Sequence, residues 1–227
     1  MHARHQAIVD EALTDVARDP EAIGLLLAGS LARGDAHPGS DVDLRVLLAA
    51  GHVRAFRSEF HRGIVVEQSY ADVALAEAHL GNNPMEVYAY LDGRILHDPT
   101  GALARLAEVA RQRFSAYHAP SEERAAIAYW LRSARLKMAA ARAAGDLRRA
   151  AYVSSTTSWP LLTGLWAAND RPMPPSGAVW AHLADLSKGP LQVEARLERL
   201  FMGEPSERVQ VAIDLIEWAV PHLETVT

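Results

Sequence analysis

The stretch GLLLAGSLARGDAHPGSDVDLRVLL, residues 24–48, constrains this chain more than any other. An apolar run of strand length stops at Gly29-Ser30, Asp41 and Asp43 follow, and a second apolar run begins at once. Two strands are expected, over 23–28 and 42–48, with a glycine-rich connection between them. Asp41 and Asp43 are two residues apart, so on a strand both side chains leave the same face. Two carboxylates on one face repel each other unless a cation lies near them.

The rest of the first hundred residues has the same alternating character. GIVVEQSY (63–70) and GRILH (93–97) read as strands, and residues 3–18 and 72–80 as helices. HVRAFRSEFHR (52–62) also reads as a helix. After Asp98-Pro99 the strand signal stops, and helices are expected over 101–116, 121–144, 147–168, 176–187, 190–202 and 206–223. Ser121 before Glu122-Glu123 makes a good helix start, because carboxylates favour the positive end of a helix dipole. Gly145-Asp146 ends one helix and caps the next, Pro160 should kink the helix it interrupts, and NDRPMPPSG (169–177) is a cluster of breakers. The fold class expected is α+β. A small mixed sheet with flanking helices fills 1–98, and an all-helical bundle fills 99–227.

Composition limits the chemistry. With no cysteine among 227 residues, there are no disulfides and no thiolate metal sites, so carboxylates or histidines must hold any metal. The ten histidines show no tight metal-ligand spacing. No apolar run approaches the ~20 residues that span a bilayer, and MHARHQAIVDEAL lacks the apolar core of a secretory signal. A cytoplasmic protein without a membrane partner is expected. The net charge of -5 provides no basic field for nucleic acid.

A Gly-Ser turn leaving a strand offers backbone N–H groups, a hydroxyl and close approach, which suits a phosphate. Magnesium takes hard oxygen ligands and keeps several waters, so two or three carboxylates suffice. Glu67 is the candidate third carboxylate, since a charge inside GIVVEQSY is costly if buried without a partner. The alternative is a strand-end glutamate facing solvent.

Gly29-Ser30, Asp41-Val42-Asp43 and the later Glu67 resemble the signature of the DNA polymerase β-like nucleotidyltransferase superfamily. The fuller string GSLARGDAHPGSDVDLRVL is similar to its minimal and aminoglycoside (kanamycin-type) members. The resemblance implies magnesium-dependent transfer of AMP from ATP to a hydroxyl of a small molecule such as an aminoglycoside-like antibiotic, hence antibiotic resistance. It implies that Asp41, Asp43 and Glu67 are catalytic and hold two magnesium ions, while Gly29 and Ser30 meet the triphosphate. Arg33 would steady the site or touch phosphate, or else make an ordinary loop ion pair with Asp35. Kanamycin-type relatives carry a general-base carboxylate and then a lysine on one helix. A loose alignment through YWLRSARLK puts Lys137 at the lysine, which implies that it meets the triphosphate, but Ser133 at the carboxylate. At ~100° per residue, Arg132, Arg135 and Arg142 share one face of that helix and Lys137 points away. Such relatives also form homodimers. Two other readings stay open: adenylylation of a protein or nucleic-acid partner, as in antitoxin-type members, and a non-catalytic nucleotide-binding module.

Overall fold

The computed structural model describes residues 2–225. It is α+β, with two compact units, one formed by residues 1–116 with 174–178 and the other by 117–173 with 179–227.

The first unit is built on a five-stranded mixed sheet. Strands β1 (Ala22–Leu27), β2 (Val42–Leu48), β3 (Arg57–His61), β4 (Ile64–Asp72) and β5 (Arg94–His97) lie in the order β3-β4-β2-β1-β5. The β2–β4 pair is parallel, and the other neighbours run antiparallel. Alternation along the strands makes two different faces. Leu25, Leu27, Val42, Leu44, Val46, Leu48, Ile64 and Val66 pack on helix α1 (Ala3–Arg18), which contributes Ile8, Val9, Ala12 and Val16. The opposite face takes Leu26 and Leu47 into a second core. There they meet α3 (Val73–Asn82), α4 (Val87–Leu91) and α5 (Ala102–Ser115). This first unit therefore continues through α5, past the change from strands to helices at Asp98-Pro99. Asp43 and Glu67 project from that second face, where both are half-buried.

The segment 52–62 is not a helix. Residues 57–61 form strand β3, and Arg62 (φ 52°) and Gly63 (φ 81°) make the two-residue turn into β4. Two successive residues with positive φ give the turn whose twist matches a hairpin. Val53, Phe56 and Phe60 are 85%, 60% and 76% exposed, so the apolar side chains that favoured a helix bury against nothing in the described residues. The edge is tied back by Glu11, which takes Nε2 of His61 at 2.9 Å and Nη2 of Arg62.

The second unit is helical: α6 (Ser121–Ala143), α7 (Leu147–Ala167), α8 (Val193–Met202) and α9 (Pro205–Glu224). Asp146 caps α7 by accepting from the Arg149 N–H at 2.9 Å. The helix expected over 176–187 is replaced by two single 3₁₀ turns, Ser176–Ala178 and Leu183–Asp185. Pro175 and Gly177 disfavour a helix at the start of this stretch, and Gly189-Pro190 stops one just beyond its end. Of the five tryptophans, Trp166 is wholly buried and Trp218 stacks on His222 at 4.2 Å, while Trp130, Trp159 and Trp180 are exposed.

Arg124 is buried. Its Nε donates to the Leu223 carbonyl at 3.1 Å, and Nη2 to the carbonyls of His222 at 2.7 Å and Thr225 at 3.0 Å. Nη1 reaches the Ala167 carbonyl at 3.2 Å and Asp170 at 3.3 Å. One guanidinium thus satisfies the orphan carbonyls at the C-terminal ends of α7 and α9. Arg124→Met should cost roughly 3–5 kcal/mol, because it strands several buried acceptors and the Asp170 charge. Urea denaturation measures this, and a loss below about 1 kcal/mol would show that water replaces the guanidinium.

Candidate active site

Parallel pairing of β2 with β4 sets Asp43 opposite Glu67 and Arg45 opposite Ser69. The apolar partners Val42 and Val66 point to the α1 face, so Asp43 and Glu67 share the other. Asp41 immediately precedes β2 and is exposed. The loop before it is held by His5 of α1, a fully buried ring whose Nε2 lies 2.9 Å from the Ser40 carbonyl.

From β1 the chain passes through Ala28, whose N–H donates to the Asp43 carbonyl at 2.9 Å, into the five-residue helix α2 (Gly29–Arg33). Gly29 has φ +65°, and a Cβ placed on it would lie 2.0 Å from Oδ2 of Asp43. Both facts demand glycine: a left-handed backbone and a carboxylate pressed against the main chain. Ser30 follows, partly exposed, with no partner for its hydroxyl among the described residues. Gly34, at φ 94°, ends the helix.

Burial pushes the Asp43 carboxyl up from 3.8 to about 6, with the charges of Asp41 and Glu67 adding to the rise and Arg45 and Arg33 opposing it. None of the three carboxylates accepts a hydrogen bond or joins an ion pair among the described residues. Three carboxylates without a protein partner, two of them half-buried, suit a divalent cation in kind. Among the described residues no group of three or more histidines, aspartates or glutamates stands in ligating arrangement. The hard-oxygen chemistry of the donor set fits a divalent metal.

Arg33 is already engaged. Its Nε donates to Asp35 at 3.2 Å, Nη1 to Asp92 at 3.3 Å and Nη2 to the Gly177 carbonyl at 3.1 Å. It makes the pair with Asp35 and also binds the 174–178 segment to α2, within the first unit. In the second unit, Arg132 pairs with Glu224, Arg135 with Glu217 at 3.4 Å, and Arg142 with Gln210 at 2.6 Å. That shared face is therefore taken up by α9. Lys137 is exposed on α6, with no hydrogen bond or ion pair among the described residues. Ser133 is half-buried on the same helix.

Arg45 and Glu86 escape a reading of the sequence, although Arg45 shares the face of Asp43 and Glu86 pairs with Arg45. Their sequence signal is faint: a basic residue at the strand position after Asp43 on the same face, and an acid shortly after Asn83-Pro84.

Residues 9–97 match the family model for the nucleotidyltransferase domain. The first unit is a nucleotidyltransferase domain of the polymerase β-like superfamily. Nucleotidyl transfer is the activity such a domain carries. The matched span contains the whole β1-to-β5 sheet together with Gly29, Ser30, Asp41, Asp43 and Glu67. A search among proteins of curated function finds no match. Similar solved structures include a nucleotidyltransferase-like protein from Exiguobacterium sibiricum 255-15, at 15% identity over 96% of this chain and 75% of that one, with a TM-score of 0.42. No helix among the described residues is long and apolar enough to cross a membrane.

Proposed function

We propose that this nucleotidyltransferase uses magnesium and ATP to place AMP on a hydroxyl of a small, cationic, aminoglycoside-like acceptor. The observation that supports the reading best is the Asp43 carboxylate against the Gly29 backbone, with Glu67 in register beside it. Displacement at the α-phosphate forms a bond from the acceptor oxygen to phosphorus, breaks the bond to the bridging oxygen, and releases pyrophosphate. There is little covalent work for the protein in such a step, which depends on positioning and charge. The turn at Gly29-Ser30 lets phosphate oxygens approach the main chain and offers the Ser30 hydroxyl as a donor. Asp41, Asp43 and Glu67 would hold the metal, and the unpartnered state of all three supports that assignment. When bound, a divalent ion supplies charge neutralisation of the phosphates and makes the acceptor hydroxyl more acidic; two ions share a set of this size in phosphoryl-transfer sites. The net charge of -5 favours a cationic acceptor over an anionic one.

The test is incubation with ATP labelled at the α-phosphate, magnesium and, in separate arms, a panel of aminoglycosides, bacterial protein and nucleic acid, with GTP, CTP and UTP in parallel. Label on an aminoglycoside, with pyrophosphate released, is the expected result. Label on a protein or nucleic acid instead would replace the acceptor, and nucleotide binding without any transfer would make the domain a non-catalytic module.

Glu67 gives a second check. Glu67→Gln should raise the magnesium concentration for half-maximal activity by roughly tenfold and reduce turnover, with little change in melting temperature. Wild-type behaviour at limiting magnesium would mean that the third ligand lies elsewhere.

A further inference from the structure

Arg45 leaves β2 two residues after Asp43, on the same face, and its register partner Ser69 stands in the same relation to Glu67. Two residues along a strand is about 7 Å, within reach of an extended arginine. Arg45 is therefore placed to become the counter-ion of Asp43 and Glu67, which have no other partner among the described residues. It is held elsewhere. Nη1 and Nη2 form a fork onto the two oxygens of Glu86, the second at 3.2 Å, and Cζ lies 5.7 Å from the centre of the Tyr90 ring.

Both anchors lie on short helical turns. Glu86 closes the 3₁₀ turn Pro84–Glu86, begun by Asn83, whose Oδ1 accepts from the Met85 N–H at 3.2 Å. Proline at the first position presets this turn. Tyr90 is buried on α4, in the same core as Leu47 of β2. The Glu86 side chain is 13% exposed, so water competes poorly for the fork.

We propose that Glu86 is a positioning residue that holds Arg45 off the Asp43–Glu67 pair and so keeps those oxygens available to a divalent cation. The proposal rests on the metal reading given above. A guanidinium released from Glu86 would find two carboxylates within reach, with only the neutral Tyr90 ring left to hold it back. Its donors would then occupy the oxygens that a metal needs, and its charge would repel the ion. The fork explains why a strongly basic residue can follow the acidic pair on one strand face without neutralising it.

The experiment is direct titration with Mn2+, reading free ion by electron paramagnetic resonance, on the wild type, Glu86→Gln, Arg45→Met, Arg45→Met/Glu86→Gln and Asp43→Asn. Melting temperatures verify that each variant is folded. Glu86→Gln should bind Mn2+ about tenfold more weakly than wild type. Arg45→Met should bind at least as well as wild type, and the double variant should recover what Glu86→Gln lost. Wild-type affinity in Glu86→Gln overturns the proposal, as does a double variant no better than Glu86→Gln. If Arg45→Met itself loses Mn2+, Arg45 aids the site and the proposal also fails. Failure of the metal reading looks different: wild type and Asp43→Asn would then be equally indifferent to Mn2+, and the proposal would fall with it.

Discussion

Asp43→Asn should abolish transfer while making the metal-free protein more stable. Turnover is expected to drop by roughly 10³-fold or more, the scale on which a group that organises a phosphoryl-transfer site acts. The stability gain follows from the raised carboxyl. Asp43 titrates at about 6 in the folded chain against 3.8 ordinarily, so the native state binds the proton more tightly than the unfolded state. The stability that this proton contributes to the metal-free wild type is fully present below about pH 4 and is lost as pH rises through about 6. Above that the ionised form must be carried in a half-buried, negatively charged place. A rise from 3.8 to about 6, discounted for partial exposure, amounts to about 1–2 kcal/mol. Asparagine has the same shape and no charge, so its advantage over wild type should open across that window and stay constant above it. Added magnesium should narrow the gap by stabilising only the wild type. Denaturation curves at pH 4 and pH 7, with and without magnesium, decide the matter. A variant less stable than wild type at pH 7 without metal would mean that Asp43 has a protein partner.

The shared face of Asp43 and Glu67 is legible in the sequence because its determinants are local. Strand alternation puts Asp43 and Glu67 on one face, and the same alternation sends Val42, Leu44 and Val66 to the α1 face, while Asp41 precedes β2. The parallel pairing that aligns Asp43 with Glu67 is a long-range choice that burial of those apolar positions enforces. Strand β3 defeats the same rule. Val53, Phe56 and Phe60 look like residues that need a core, yet all three are exposed, and the turn at Arg62-Gly63 outweighs them. Partners distant in the chain leave no local trace. Nothing near Arg124 announces that the carbonyl ends of two other helices converge on it. Nothing near Arg33 points to the Gly177 carbonyl, and nothing near Arg45 points to Glu86. Arginine in particular hides its role, since its five donors serve a carbonyl cage, an ion pair or a phosphate equally well.

Gly29→Ala should cost activity heavily, though less than the loss of Asp43, and it removes no functional group. The left-handed backbone at φ +65° costs a residue with a β-carbon about 1 kcal/mol. The larger effect is steric: the new methyl would stand 2.0 Å from Oδ2 and 3.0 Å from Cγ of Asp43. A carboxylate is the far end of a rotatable side chain, so it can swing aside and the chain can still fold. It then no longer stands where the phosphate turn meets the acidic pair, and a displacement of about 1 Å in such a site is worth roughly 10²-fold in rate. The expected result is a folded protein, destabilised by about 1–3 kcal/mol, with activity reduced roughly 10²-fold or more. A double-mutant cycle separates strain from collision. With Asp43→Ala as background the clashing atoms are gone, leaving only the Asp43 Cβ at 3.4 Å. Gly29→Ala should then cost only the backbone strain, and the difference between its two costs is the coupling between Gly29 and Asp43. Equal costs in both backgrounds would mean that the glycine answers to its backbone conformation alone, and that the carboxylate's closeness to the turn plays no part in why Gly29 is there.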